Sequence, residues 1–177
     1  MTRRKAARTA KLRVILGATE DDIDAITSLL QADFPSQGGS LTGEFPREKV
    51  VQMAEGGALI IVARRVADGP GVGVLFSAAK DTAQAPAVLA MLEVYAGGPG
   101  AYVYDPVCIA DTERGQGLLA LLYEAMRARH PGGEAVLFIR RDNIGSLRAH
   151  QRLGMAEVAS YVLDGAQYAV YSDAATS

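Results

Sequence analysis

Val107–Arg129 reads VCIADTERGQGLLALLYEAMRAR. An apolar run leads through Arg114-Gly115-Gln116-Gly117 into a segment whose apolar residues, Leu118, Leu119, Leu121, Leu122, Ala125 and Met126, recur at the spacing of one helical face. Glu124, Arg127 and Arg129 fall on the other face. The reading is strand, glycine turn, helix, with the glycines where the helix begins. The first N–H groups of a helix have no partner within it and lie at its positive end, so glycines there let an anion approach the backbone. A tight turn is the simpler reading of the two glycines taken alone. The dinucleotide fingerprint G-x-G-x-x-G is not completed, because position 120 is Ala, and the G-x-x-x-x-G-K-[ST] phosphate loop is absent.

A second motif lies downstream: Asn143-x-x-Ser146, then His150, then Leu153-Gly154-Met155. Between the two, Glu134–Arg140 suits a buried strand entered through His130-Pro-Gly-Gly, and parallel pairing with Ala101–Ala110 would use the intervening helix as its crossover. Asp142 or Asn143 caps the helix that follows.

Together the motifs resemble the Gcn5-related N-acetyltransferase (GNAT) family. Its signature is R/Q-x-x-G-x-G/A at a strand-to-helix junction, then a helix opening N-x-x-A/S, with Tyr seven residues after the Asn and Gly-Phe closing the helix. Residues 101 to 171 carry the resemblance, and two positions depart from it: Leu119 stands for the last small residue of the phosphate motif, and His150 for the Tyr. The resemblance implies an α/β fold with a mixed, mostly antiparallel sheet of about six or seven strands, helices on both faces and splayed fourth and fifth strands. It also implies acetyl transfer from acetyl-CoA to a primary amine of a small molecule or peptide, by direct attack in a ternary complex. The cofactor-facing residues would be Val107, Cys108 and Ile109 of the strand, Arg114, Gly115, Gln116, Gly117, Leu118 and Leu119 of the pyrophosphate loop, and Asn143 and Ser146. A backbone N–H of the strand segment would hold the thioester oxyanion.

His150 stands where the family's Tyr protonates the departing sulfur, and an imidazole with a pKa of about 6.5 could do the same; the alternative is a packed helix histidine. Asn143 serves equally as a helix cap, and Ser146 could serve packing or the cofactor. The base that takes the amine proton is open between Asp105, Glu44 and bulk water. Arg140 and Arg141 could bind an acceptor carboxylate or simply be solvated. Cys108 reads as a small buried hydrophobe rather than a nucleophile. Two histidines and one cysteine in no recognisable ligand spacing give no metal site. Rival readings on the same scaffold are a noncatalytic domain that binds an acyl-CoA or a protein, and an enzyme using a longer acyl-CoA.

The rest of the chain fits around this centre. Its 177 residues, 49% hydrophobic with 19 glycines, are enough for one domain with a full core. No run approaches the roughly 20 apolar residues that span a bilayer, and no secretion signal is visible, so a cytoplasmic protein without membrane contact is expected. Residues 1–11 carry Arg3, Arg4, Lys5, Arg8 and Lys11 and no acid, which suggests a disordered basic tail before a domain spanning 12–173. The body is then more acidic than the overall net charge of −2 and a poor binder of nucleic-acid backbones. Leu12–Leu16 suits a first strand, Thr19 caps a helix through Leu30, residues 35–46 are loop, and Pro46 opens a short helix to Met53. Phe34, Phe45 and the loop between them could wall the acceptor site or only cap the core. Ala58–Arg65 and Val72–Ala78 form a hairpin, followed by a helical insert in residues 81–100, centred on Ala85–Ala96, that could pack, act as a lid or support a homodimer. Met155–Val162 and Gln167–Ser172 close the domain as a hairpin around Asp164-Gly165.

Overall fold

The computed structural model describes residues 11–15, 19–66 and 68–174; the expected basic tail, apart from Lys11, lies outside the described residues. Among the described residues there are seven strands and five α-helices: β1 Lys11–Ile15, α1 Glu20–Gln31, α2 Arg47–Glu55, β2 Leu59–Arg64, β3 Gly71–Ala79, α3 Pro86–Val94, β4 Tyr102–Ile109, α4 Leu118–Arg129, β5 Ala135–Arg140, α5 Ile144–Arg152, β6 Ala156–Leu163 and β7 Ala166–Ser172. The strands form one sheet in the order β1-β2-β3-β4-β5-β7-β6. Every neighbour is antiparallel except β4 and β5, which are parallel and joined by α4.

Local chemistry sets the element ends. Thr19 and Asp22 make a capping box at α1, and buried Asp22 meets Arg64 of β2 at 3.5 Å. Asp164 and Gly165, with φ of 49° and 77°, turn β6 into β7, where the right-handed twist of a hairpin asks for positive φ. The insert is a shorter helix than expected, ending at Val94 rather than Ala96. It is held on the sheet by Val88 and Met91, by Tyr161 Oη donating to Ala87 O at 2.8 Å, and by Glu134, which accepts from Tyr95 Oη at 2.6 Å and Gly98 N at 2.7 Å and is bonded by Ser172.

Two features of β4 position everything that follows. The first is a bulge: Leu75 pairs with Val107 but Ser77 with Tyr104, so β4 spends an extra residue at Asp105-Pro106. The bulge reverses the alternation, so that Tyr102 and Tyr104 before it and Val107 and Ile109 after it all face the cluster beneath α4. Cys108 faces the opposite cluster, beneath α1 and α2, and Val103 faces the side covered by α3. The second is a splay. β4 pairs with β5 only at Tyr102–Ala135 and Val103–Val136, after which the strands part.

Candidate active site

The splay leaves backbone groups of β4 without a strand to pair with. Ala110 N donates to Val72 O of β3 at 2.9 Å, and in an antiparallel ladder backbone groups point alternately to either side. Cys108 therefore turns its backbone to β3, while Val107 and Ile109 turn theirs into the gap. The open side of Ile109 is visible directly, since its carbonyl accepts from Arg114 Nε at 3.2 Å.

Beyond the strand, a single 3₁₀ turn, Asp111–Glu113, leads to Gly115 and Gly117, with φ of 72° and 80°. Gly117 is the N-cap of α4 and has no side chain to fold back, so the first-turn N–H groups of Leu118, Leu119 and Ala120 receive no capping side chain. A Cβ at either glycine would meet nothing within 4 Å. The glycines are required by the left-handed backbone, not by crowding, and the space above them is open.

Arg114 lies half exposed at the edge of this cradle. Its guanidinium is 2.9 Å from Asp111 and 3.4 Å from Asp33. Glu113, also on the wall of this site, is ion-paired with Arg65.

Strand gap, glycine turn and the start of α5 open onto one cavity of about 570 Å³. Of the cofactor-facing positions expected, Val107, Cys108, Ile109, Arg114, Gly115, Gly117, Leu118, Leu119, Asn143 and Ser146 line it, as does His150. Gln116 is not on the wall; its side-chain amide donates to Thr112 O at 3.0 Å. Cys108 sends its side chain to the other face, with Sγ 3.6 Å from Leu29 O, and burial pushes its thiol up to about 12. It is a protonated, packed thiol. Asn143 accepts from Ser146 N at 3.1 Å as the α5 cap.

His150 is 2% exposed, and both its ring nitrogens are engaged. Nδ1 lies 2.8 Å from Ser146 O. A carbonyl only accepts, so Nδ1 carries the hydrogen and, in the neutral ring, Nε2 carries the lone pair. Nε2 in turn lies 3.3 Å from Tyr104 Oη, which donates to it. Burial lowers the imidazole's proton affinity, opposed in part by the bond to Ser146 O. In the neutral ring the one N–H, on Nδ1, is thus taken by Ser146 O, and Nε2 accepts from Tyr104. Ser146 Oγ, 3.3 Å from Nδ1, is the hydroxyl that stands at the cavity wall beside it.

Asp105 occupies the bulge of β4, half buried. Burial pushes its carboxyl up to about 7, with the charge of Lys49 drawing it back. Lys49 itself sits 4.1 Å above the Phe45 ring. Arg140 is paired with Asp142 at 3.0 Å and Arg141 with Glu157, so neither guanidinium stands uncommitted. Sequence reasoning missed Asp33, which joins the cavity wall just after α1, and Tyr104, which meets His150 beneath α4; Ser40 and Leu41, also on the wall, belong to the loop between Phe34 and Phe45 expected to flank the acceptor site, whereas Phe34 and Phe45 themselves pack in the core. The alternating pattern of β4 was the available signal for Tyr104; nothing in the sequence marked Asp33.

No protein-family model matches the chain, and no curated protein matches it. Solved structures do. The N-acetyltransferase from Staphylococcus aureus Mu50 superposes with a TM-score of 0.64 at 15% identity, covering 93% of this chain and 97% of that one. Arabidopsis thaliana NAA60 in complex with acetyl-CoA gives 0.66 at 15% identity, with coverage of 93% and 97%. The Salmonella typhimurium yncA structure with acetyl-CoA gives 0.63 at 18% identity, with coverage of 93% and 92%. At such identities the likeness is one of fold.

Proposed function

Because the chain has the Gcn5-related N-acetyltransferase fold, we propose that it transfers the acetyl group of acetyl-CoA to a primary amine. The observation that carries this reading is the convergence, on one cavity, of a strand gap with unpaired backbone groups and an uncapped helix start. An amide chain ending in phosphates matches both at once: the gap would take the amides of a pantetheine arm, and the helix start would take its pyrophosphate. Four of the solved structures of this fold have acetyl-CoA, CoA or a bisubstrate analogue bound, which supports the same ligand here.

In this reading Val107 and Ile109 pair with the arm, and the N–H of Val107 holds the carbonyl oxygen as negative charge builds on it. One such donor in a dry site is worth about 3 kcal/mol. The N–H groups of Leu118, Leu119 and Ala120 and the guanidinium of Arg114 hold the phosphates. Leu119 in place of a small residue costs no N–H. Asn143 keeps α5 at the wall, and Asp105, in the bulge of β4 next to the cavity-lining segment rather than on the wall itself, takes through water the proton that the amine loses as its nitrogen bonds to the acetyl carbon. A carboxyl held near 7 is matched to that task. Bound acetyl-CoA supplies the activated acyl group.

Calorimetric titration of the protein with acetyl-CoA and CoA tests the reading without the acceptor. Micromolar binding that Arg114→Ala weakens is the expected result; absence of binding to both would refute it.

A further inference from the structure

We propose that Ser146 donates the hydrogen bond that steadies the departing CoA sulfur, and that His150, held by Tyr104, is the positioning residue that aims it. The inference rests on the acetyl-transfer reading and names the group on the leaving side of the same site.

Hydrogens decide the matter. Ser146 O can only accept, so the hydrogen of His150 is on Nδ1. Ser146 Oγ lies 3.3 Å from that same nitrogen, and Nδ1 has no lone pair to offer. The hydroxyl can therefore only accept there, and its own hydrogen must turn elsewhere. Ser146 is half buried on the cavity wall, so the direction left to that hydrogen is the cavity. Tyr104 locks the arrangement from the far side by donating to Nε2 at 3.3 Å, with its ring edge to face against the imidazole at 5.6 Å and 82°. Tyr104 is 1% exposed, so its hydroxyl is kept for His150 rather than for solvent.

The balance of the step follows. The amine nitrogen forms its bond to the acetyl carbon and the carbon–sulfur bond breaks with its electron pair on sulfur. The amine's surplus proton goes to Asp105. CoA leaves as the thiolate, hydrogen-bonded by Ser146 Oγ–H, and is protonated by solvent after release. Full transfer through the chain would leave a phenolate on Tyr104, whose burial already disfavours that charge. A hydrogen bond without transfer avoids it.

The test is the ionisation of CoA bound to the full-length protein, followed by the ultraviolet absorbance of the thiolate against pH, in the wild type, Ser146→Ala and Ser146→Thr. Asp33, Glu113, Arg114 and Arg152 also line the cavity and act on the thiol's charge, so the readout is the difference between proteins. The wild type and Ser146→Thr should hold the bound thiol about one pH unit more acidic than Ser146→Ala does. Desulfo-CoA, which lacks the sulfur, should bind all three alike. Equal thiol ionisation in wild type and Ser146→Ala overturns this inference and leaves the cofactor reading standing. Failure of CoA to bind the wild type overturns both.

Discussion

The phenol of Tyr104 and the imidazole of His150, 46 positions apart in sequence, meet inside the domain with Tyr104 Oη 3.3 Å from His150 Nε2. The pair ties the central strand to the helix that closes the cavity. It also makes His150 a group that folding keeps neutral.

That neutrality has a signature in stability. His150 in the folded protein binds its proton less readily than the ordinary imidazole, so the unfolded chain takes up more protons below about pH 6.5. The contribution is therefore present above that pH and lost as the pH falls through it. The difference in melting temperature between wild type and His150→Gln should therefore be largest near about pH 8 and shrink toward about pH 5. At neutral pH the variant should be about 2 kcal/mol less stable, because Tyr104 Oη and Ser146 O lose a fitted partner.

Asp105 has the opposite sign. Its folded-state pKa, pushed up to about 7, lies above the unfolded value, so the folded protein holds a proton that the unfolded chain releases and stability falls as pH rises toward 7. Asp105→Asn should flatten that fall. Acetyl transfer should rise with pH through about 7 in the wild type, as the base becomes free, and be at least about tenfold slower without this limb in Asp105→Asn. A variant with the wild-type rate and profile would return the role to bulk water.

Arg114 is engaged by Asp33, Asp111 and Ile109 O before any ligand arrives. Part of its attraction for a phosphate is spent in leaving these partners, and the ion pairs are half exposed. Arg114→Ala should therefore weaken CoA by roughly tenfold rather than abolish binding, with no loss of melting temperature. Calorimetry with CoA and with dephosphorylated pantetheine separates the phosphate contribution, which alone should change.

Gly117 tests the cradle through the backbone. At φ of 80° an alanine costs about 1 kcal/mol of stability, and its Cβ meets no protein atom within 4 Å. Gly117→Ala should fold, melt a few degrees lower and bind CoA more weakly. Unchanged affinity would place the phosphates elsewhere.

Glu134 secures the insert rather than the chemistry. It accepts from Tyr95 and Gly98 and is bonded by Ser172, joining the end of the α3 segment to β7. Glu134→Ala should cost about 2 kcal/mol in urea unfolding and leave CoA affinity unchanged.

Much of this was written in local sequence. The glycine turn before Leu118, the cap at Asn143, the Thr19 box, the Asp164-Gly165 turn and the insert helix are decided within a few residues, by backbone conformation and unpaired N–H groups at helix ends. The spacing from Arg114 to Gly154 likewise carried the fold and the strip of residues along the cavity. Tertiary structure alone decided the rest. The bulge at Asp105-Pro106 reverses which residues of β4 face α4, and no local pattern announces a register shift against a partner strand. That shift turns Val107 and Ile109 to the face that Tyr102 and Tyr104 already hold and leaves Cys108 on the other, while the contact of Tyr104 with His150 joins β4 to α5 across the core. Burial and hydrogen-bond partners depend on elements far apart in sequence, so the residue types at 104, 146 and 150 were legible while the state of their hydrogens was not.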